Sequence, residues 1–257
     1  MTEPNDPMPP LGTANRLLAV LLTFEQDGAA LSLSEVARRT ALPTSTARRL
    51  LGQLCAARML ERVDDGRYQV GARLFELGMR APVPRLLREV AVPVMEDLHS
   101  ATRENVHLGI LDVDSVLVIQ QHTGNRSVPT PARSGARLPA HSTANGKALL
   151  AFSRPELVNQ VLAGGIPRIT EYTVSSTTTL RDQLDEARDR GWAVSQQENS
   201  LGTLSVGAPI FGHDGYAVAA LSNVIPATTR EFQPYAHAVK TASMTITRLW
   251  AQAQPRR

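Results

Sequence analysis

Arg48 and Arg49, which follow Thr44, Ser45 and Thr46 in one short polar run, are the side chains of this sequence best suited to recognition chemistry. A guanidinium can pair bidentately with guanine, and hydroxyls bond phosphates or base edges. At helical spacing Ala47, Leu50, Leu51 and Leu54 make one apolar stripe. That leaves Ser45, Arg49 and Gly52 on the opposite side, with Thr44 and Arg48 on its flank. No acid occurs from Val36 to Leu60, so nothing on this face repels a polyanion.

The elements that must hold this face are legible around it. Ser32 and Glu35 have the spacing of a capping box, in which hydroxyl and carboxylate satisfy each other's free amides, so a helix starts near Leu33. Helices over 33–40 and 43–54, parted by Ala41-Leu42, make a helix-turn-helix. Residues 61–63 and 68–70 alternate around Asp64-Asp65-Gly66 and predict a hairpin, a wing whose Arg62 and Arg67 would touch the phosphate backbone. Leu17, Leu18, Leu21, Leu22 and Phe24 predict a supporting helix over 15–25. Each feature alone is compatible with an ordinary solvated surface. Their order and close spacing point to double-stranded DNA, with a winged helix-turn-helix over 11–70.

The 257 residues allow one large or two modest domains, and 42% hydrophobic with 20% charged residues is a globular composition. A net charge of +3 does not by itself argue for nucleic acid. The single cysteine, Cys55, excludes an internal disulfide and a cysteine-based zinc site, fits a reducing cytoplasm, and reads as a small residue beside the helix stripe. No apolar run approaches the ~20 residues of a membrane span, and no basic-then-apolar leader opens the chain. We therefore expect a cytoplasmic protein without membrane contact. Residues 1–10, rich in proline, read as a disordered tail.

A short helix is expected at 71–80, and Pro82 and Pro84 then place an interruption and domain boundary, so that 71–84 is a linker helix. Beyond it, the pattern predicts a helix over 85–101 bent at Pro93, strands at 106–111 and 115–121, and a long loop at 124–141 of the kind that covers binding sites. Helices at 144–152 and 180–190, strands at 192–197, 203–211 and 216–225, and a final amphipathic helix from Phe232 complete it. Antiparallel hairpins with helices gathered to one side make 85–257 an α+β domain.

In this order the segments resemble the IclR family of bacterial transcriptional regulators from about Leu11 to Gln252. The resemblance is carried by 33–54, Tyr68-Gln69-Val70-Gly71 and Leu74-Phe75-Glu76-Leu77-Gly78. In the second half it is carried by 135–151 (Gly-Ala-Arg-Leu-Pro-Ala-His-Ser-Thr-Ala-Asn-Gly-Lys-Ala-Leu-Leu-Ala), 188–192, Glu198 with Gly202, and 206–210. It implies a winged helix joined by a linker helix to a GAF-like effector domain, a homodimer or dimer of dimers on a pseudo-palindromic operator, a small organic acid as effector, and no enzyme activity. It places the effector pocket on Leu138, Ala144, Asn145, Ser195, Thr203, Ser205, Ser222 and Val224. Strand alternation agrees that 203, 205, 207 and 209 share a face, as do 216, 218, 220, 222 and 224. Free amides near Ala144 and Asn145 at a helix start could accept a carboxylate, while the bland alternative is that the hydroxyls bond backbone or water. Several relatives are acidic or otherwise polar where Ser195 stands and often have serine at Val224, which points to a more apolar, for instance aromatic, acid.

Other chemistries find little support. Gly146-Lys147 lacks the glycine and hydroxyl residue of a phosphate loop, since His141 and Ala148 occupy those places. The six histidines form no ligand pair, and no Gly-x-Ser-x-Gly elbow occurs, so neither metal nor cofactor is expected. The alternative class, an enzyme of small-acid metabolism with a helical interaction module, requires converging titratable side chains in the second half, and the sequence offers no such pair.

Overall fold

The computed structural model describes residues 12–25, 30–124 and 127–254; the 1–10 tail expected to be disordered lies outside the described residues. The chain forms two compact units that part between Pro82 and Val83.

The first unit contains α1 (Thr13–Leu22), extended by a 3-10 turn at Thr23–Glu25, then α2 (Leu33–Thr40) and α3 (Thr44–Ala56). The hairpin β1 (Leu60–Arg62) and β2 (Tyr68–Val70) follows, and α4 (Ala72–Gly78) comes after it. The capping box is formed: Glu35 N donates to Ser32 Oγ at 3.2 Å and Ser32 N donates to Glu35 Oε2 at 2.8 Å. The Ser32 amide, and the Ser32 hydroxyl that also donates to Glu35 Oε2 at 2.7 Å, hold the Glu35 carboxyl below its ordinary range. Ala41, at φ 52°, ends α2 in the left-handed region and turns the chain toward α3. Ala47, Leu50, Leu51 and Leu54 are the buried residues of α3. With Val20, Phe24, Val36, Leu60 and Tyr68 they form the core of this unit; each fully buried leucine contributes ~1.5–3 kcal/mol. Leu31 adds a short antiparallel bridge to Tyr68 beside the hairpin.

The helical chain does break before Pro82, since α4 ends at Gly78, but Pro82 and Pro84 open the next helix rather than lie in the break. They lie in the first turn of α5 (Pro82–Thr102), where a proline lacks only an amide that would have had no helical partner. Pro93 sits inside this helix. The second unit is then built on one antiparallel six-stranded sheet of order β5-β4-β3-β8-β7-β6. Its strands are β3 (Asn105–Asp112), β4 (Ser115–His122), β5 (Arg137–Pro139), β6 (Ala193–Gln196), β7 (Thr203–Phe211) and β8 (Ala217–Pro226). Between β5 and β6 run a 3-10 turn at Ala140–Ser142 and helices α6 (Ala144–Ala151), α7 (Pro155–Ala163) and α8 (Thr177–Arg190); α9 (Gln233–Ala253) follows β8.

The helices are not gathered to one side. α5 and α9 pack on one face of the sheet through Leu87, Met95, Val239 and Ile246 against Val106, Leu108, Ala208 and Leu221. α6, α7 and α8 cover part of the other face through Ala148, Leu149, Val158 and Leu184 against Val116, Ala193 and Ala220. The period-two pattern requires this, because both faces of the central strands are apolar. Where α6 begins, the second face carries polar side chains, and there the sheet is left partly uncovered.

Candidate functional site

On α3 the apolar stripe faces the core, which turns Thr44, Ser45, Arg48 and Arg49 outward as exposed residues, with Thr46 half-buried beside them. Neither Arg48 nor Arg49 has an ion-pair or hydrogen-bond partner among the described residues. The wing arginines differ. Arg62 Nε donates to the Gly66 carbonyl at 3.2 Å and its guanidinium lies 5.8 Å from the Tyr68 ring centre. Arg67 pairs with Asp65 at 2.7 Å and reaches the Ala30 carbonyl at 3.5 Å. All four arginines are exposed, but those of the wing brace the hairpin while those of α3 are free.

In the second unit, Leu138, Ala144, Asn145, Ser195, Thr203, Ser205, Ser222 and Val224 surround one cavity, partly open to solvent. Sheet register brings them together. Ser195 pairs with Ser205, Ser205 with Val224, and Val224 with Asn105, so one row crosses from β6 to β3. The next row is Gly207, Ser222 and His107. The first turn of α6 closes one side: Thr143 Oγ1 caps the helix by accepting from Gly146 N at 3.1 Å, and Ala144 and Asn145, whose amides have no partner within the helix, line the cavity. Gly146 must be glycine, because a Cβ there would stand 2.1 Å from the Ala140 carbonyl oxygen.

The hydroxyls divide into two kinds. Ser195 Oγ donates to the Ser142 carbonyl and Thr203 Oγ1 to the Ser200 carbonyl, each at 2.7 Å. Their hydrogens are committed to backbone, in line with the bland alternative, and only their lone pairs face the cavity. Among the described residues Ser205 and Ser222 make no such bond, and they keep both donor and acceptor capacity.

Sequence reasoning missed several lining residues. His107 and Val118 come from β3 and β4, Thr130 and Ala132 from the loop after β4, and Asn199 and Ser200 from the turn between β6 and β7. The loop was legible as a cover but not residue by residue. His107 is buried, and burial alone lowers its pKa to about 4, so the ring is neutral. Among the described residues no Asp, Glu, Lys or Arg lines the cavity.

Just outside the cavity, Lys147 of α6, buried and 1% exposed, forms an ion pair with the buried Glu198 and donates to Gln183 Oε1 at 2.7 Å. Burial pulls the lysine pKa down, and the attraction of Glu198 opposes that pull. Thr173 Oγ1 donates to the Glu198 carbonyl at 2.7 Å. This knot ties α6 to the turn that supplies Asn199 and Ser200.

Residues 13–64 match the model of the IclR helix-turn-helix domain, and residues 84–248 match that of the bacterial transcriptional regulator IclR C-terminal domain. The chain belongs to the IclR family of transcriptional regulators. It is 31% identical over 221 residues to the HTH-type transcriptional regulator KdgR of Escherichia coli, covering 84% of both chains. To XynR of the same organism it is 30% identical over 217 residues, covering 84% of this chain and 86% of that one. Among solved structures, an IclR homologue from Microbacterium hydrocarbonoxydans complexed with 4-hydroxybenzoate is similar at a TM-score of 0.88 and 32% identity, covering 95% of this chain and all (100%) of that one. The IclR of Thermotoga maritima gives 0.74 and 28%, covering 93% and 98%. The winged helix followed by an α+β domain is thus the architecture of IclR regulators. Among the described residues no helix is long and apolar enough to cross a membrane.

Proposed function

We propose that this IclR-family regulator binds a pseudo-palindromic operator as a homodimer or dimer of dimers, and that a small carboxylic acid, aromatic or otherwise apolar in its body, sets its operator affinity from the second unit. The observation that carries the reading is the cavity. Two hydroxyls unpaired among the described residues, Ser205 and Ser222, and the first turn of α6 meet in a hollow whose lining includes an apolar side, Val116, Val118, Ala132, Leu138 and Val224, beside polar residues such as His107 and Thr203. Amides at a helix start and neutral hydroxyls hold an anion without a buried countercharge. The Microbacterium relative's 4-hydroxybenzoate is an acid of this kind. On the DNA side, Thr44, Ser45, Thr46, Arg48 and Arg49 would enter the major groove, and Arg62 and Arg67 would touch phosphates; half-sites would lie about one helical turn, or a multiple of it, apart. The acid acts only if it binds the operator-competent and operator-incompetent arrangements differently. No enzymatic role is assigned, since no titratable pair converges in the cavity.

The test is a thermal-shift screen of small carboxylic acids, followed by operator titration with promoter fragments of the protein's own locus. Ser205→Ala should shift the acid response and leave acid-free operator binding unchanged. Loss of both would make Ser205 a structural residue, and an acid that binds without altering operator affinity would sink the regulatory half.

A further inference from the structure

Resting on the reading of the cavity as an acid-effector site, we infer that the effector carries a hydroxyl as well as its carboxylate, and that the hydroxyl is held between His107 and Asn145. Both residues belong to the lining of the cavity. They are 4% and 5% exposed, and His107 Nε2 and Asn145 Oδ1 are buried atoms without a hydrogen-bond partner among the described residues. Leaving such atoms unpaired is costly, and buried polar groups without partners are rare enough to need a reason.

The chemistry of the two atoms restricts what can satisfy them. Asn145 Nδ2 donates to the His107 backbone carbonyl at 3.4 Å. Turning the amide over would set its oxygen against that carbonyl, so the atom left free is the acceptor. A carboxylate offers acceptors only and cannot satisfy Asn145 Oδ1. His107 is neutral because it is buried, so its Nε2 can carry a hydrogen and donate. A hydroxyl supplies one donor and two lone pairs: its hydrogen goes to Asn145 Oδ1, and its oxygen accepts from His107 Nε2. An ammonium would also donate to both, but among the described residues no acidic side chain lines the cavity to balance it, and an unpaired buried cation is costly. The carboxylate is left to the α6 amides and the hydroxyls of Ser205 and Ser222.

The experiment is calorimetry on the full chain with matched pairs: 4-hydroxybenzoate and benzoate, mandelate and phenylacetate, 3-hydroxybutyrate and butyrate. In the pair whose body fits, the hydroxylated acid should bind at least about tenfold more tightly, since a site built to bond a hydroxyl discriminates against its absence. His107→Phe should bring the two within about threefold while still binding the acid that lacks the hydroxyl, and His107→Gln, which keeps a donor, should retain part of the preference. Imidazole nitrogen NMR of the wild-type protein gives a readout that needs no variant: His107 Nε2 should shift with the hydroxylated acid and stay with its analogue. Equal affinities within every bound pair, a preference that survives His107→Phe, equal NMR shifts, or phenylglycine bound in preference to mandelate would each overturn the hydroxyl assignment alone. Binding of none of these acids would overturn the acid-effector reading, and the hydroxyl with it.

Discussion

Gly207 of β7 lies against the peptide that joins Ala144 to Asn145, so closely that a Cβ on it would stand 2.6 Å from the Ala144 carbonyl carbon and 2.9 Å from Asn145 N. The missing side chain is the slot into which the first turn of α6 sits. Gly207→Ala must push that turn off the sheet, an overpacking that costs about 1–3 kcal/mol. Chemical denaturation should show the loss. Thermal shifts with an acid that stabilises the wild type should vanish, because the α6 amides move. A variant that keeps its full acid response would show that the α6 start does not hold the ligand.

Lys147 and Glu198 predict an asymmetric response to mutation. Removing one partner of a buried pair strands the other charge and typically costs about 3–5 kcal/mol, whereas removing both is far milder. Lys147→Met should therefore be severely destabilising, and Lys147→Met with Glu198→Gln should recover much of the loss in urea melts. Additive losses would mean that the knot with Gln183 and Thr173 matters for its packing rather than its charge.

The two groups of arginines predict different DNA phenotypes. Arg49 is free on the exposed face of α3, so Arg49→Ala should weaken specific operator binding by ~1–3 kcal/mol and relax the sequence preference. Arg62 already bonds the Gly66 carbonyl. Its replacement should weaken binding to all sequences alike and lower the salt slope by about one. Fluorescence anisotropy across a salt series separates the two, and an Arg49→Ala protein with unaltered operator affinity would remove Arg49 from the reading face.

The contrast between residues that are legible in the sequence and those that are not has a physical basis. The α3 stripe and the β7 face follow from period alone, so Ala47, Leu50, Leu51 and Leu54 go inside and Thr203 and Ser205 share a side as expected. The eight cavity positions come instead from resemblance, and no single-strand pattern could have joined Leu138 to Ser222. Helix α7 escapes the sequence reading although Pro155 and Glu156 mark its first turn and Val158, Val161 and Leu162 give it a buried side. Pro82 and Pro84 do stand at the break after α4, yet they belong to the helix that follows it, because proline stops a helix from within but suits its first turn. His107 does not stand out because a histidine between Val106 and Leu108 reads as strand core. Its lack of a partner depends on Ser222 and Asn145, 115 and 38 positions further along the chain.

His107 also sets a pH dependence whose direction can be worked out. Its pKa falls from 6.5 to about 4 on folding, through burial and no charged neighbour. Between those values the unfolded chain holds more protons than the folded one, so stability falls as pH drops through this window and levels off below about 4. At ~1.4 kcal/mol for each pH unit separating the two values, the loss approaches ~3 kcal/mol. Burial also raises the Glu104 pKa and lowers that of His141. The decisive quantity is therefore the difference between wild type and His107→Gln, followed by urea melts from about pH 7.5 to about pH 4.5, a span that brackets most of the window. The wild type should lose stability faster than the variant below pH 6.5, by an amount that grows steadily as the pH approaches 4. Parallel curves would mean that His107 is charged in the folded protein, and a charged imidazole could not serve as the neutral wall of the cavity.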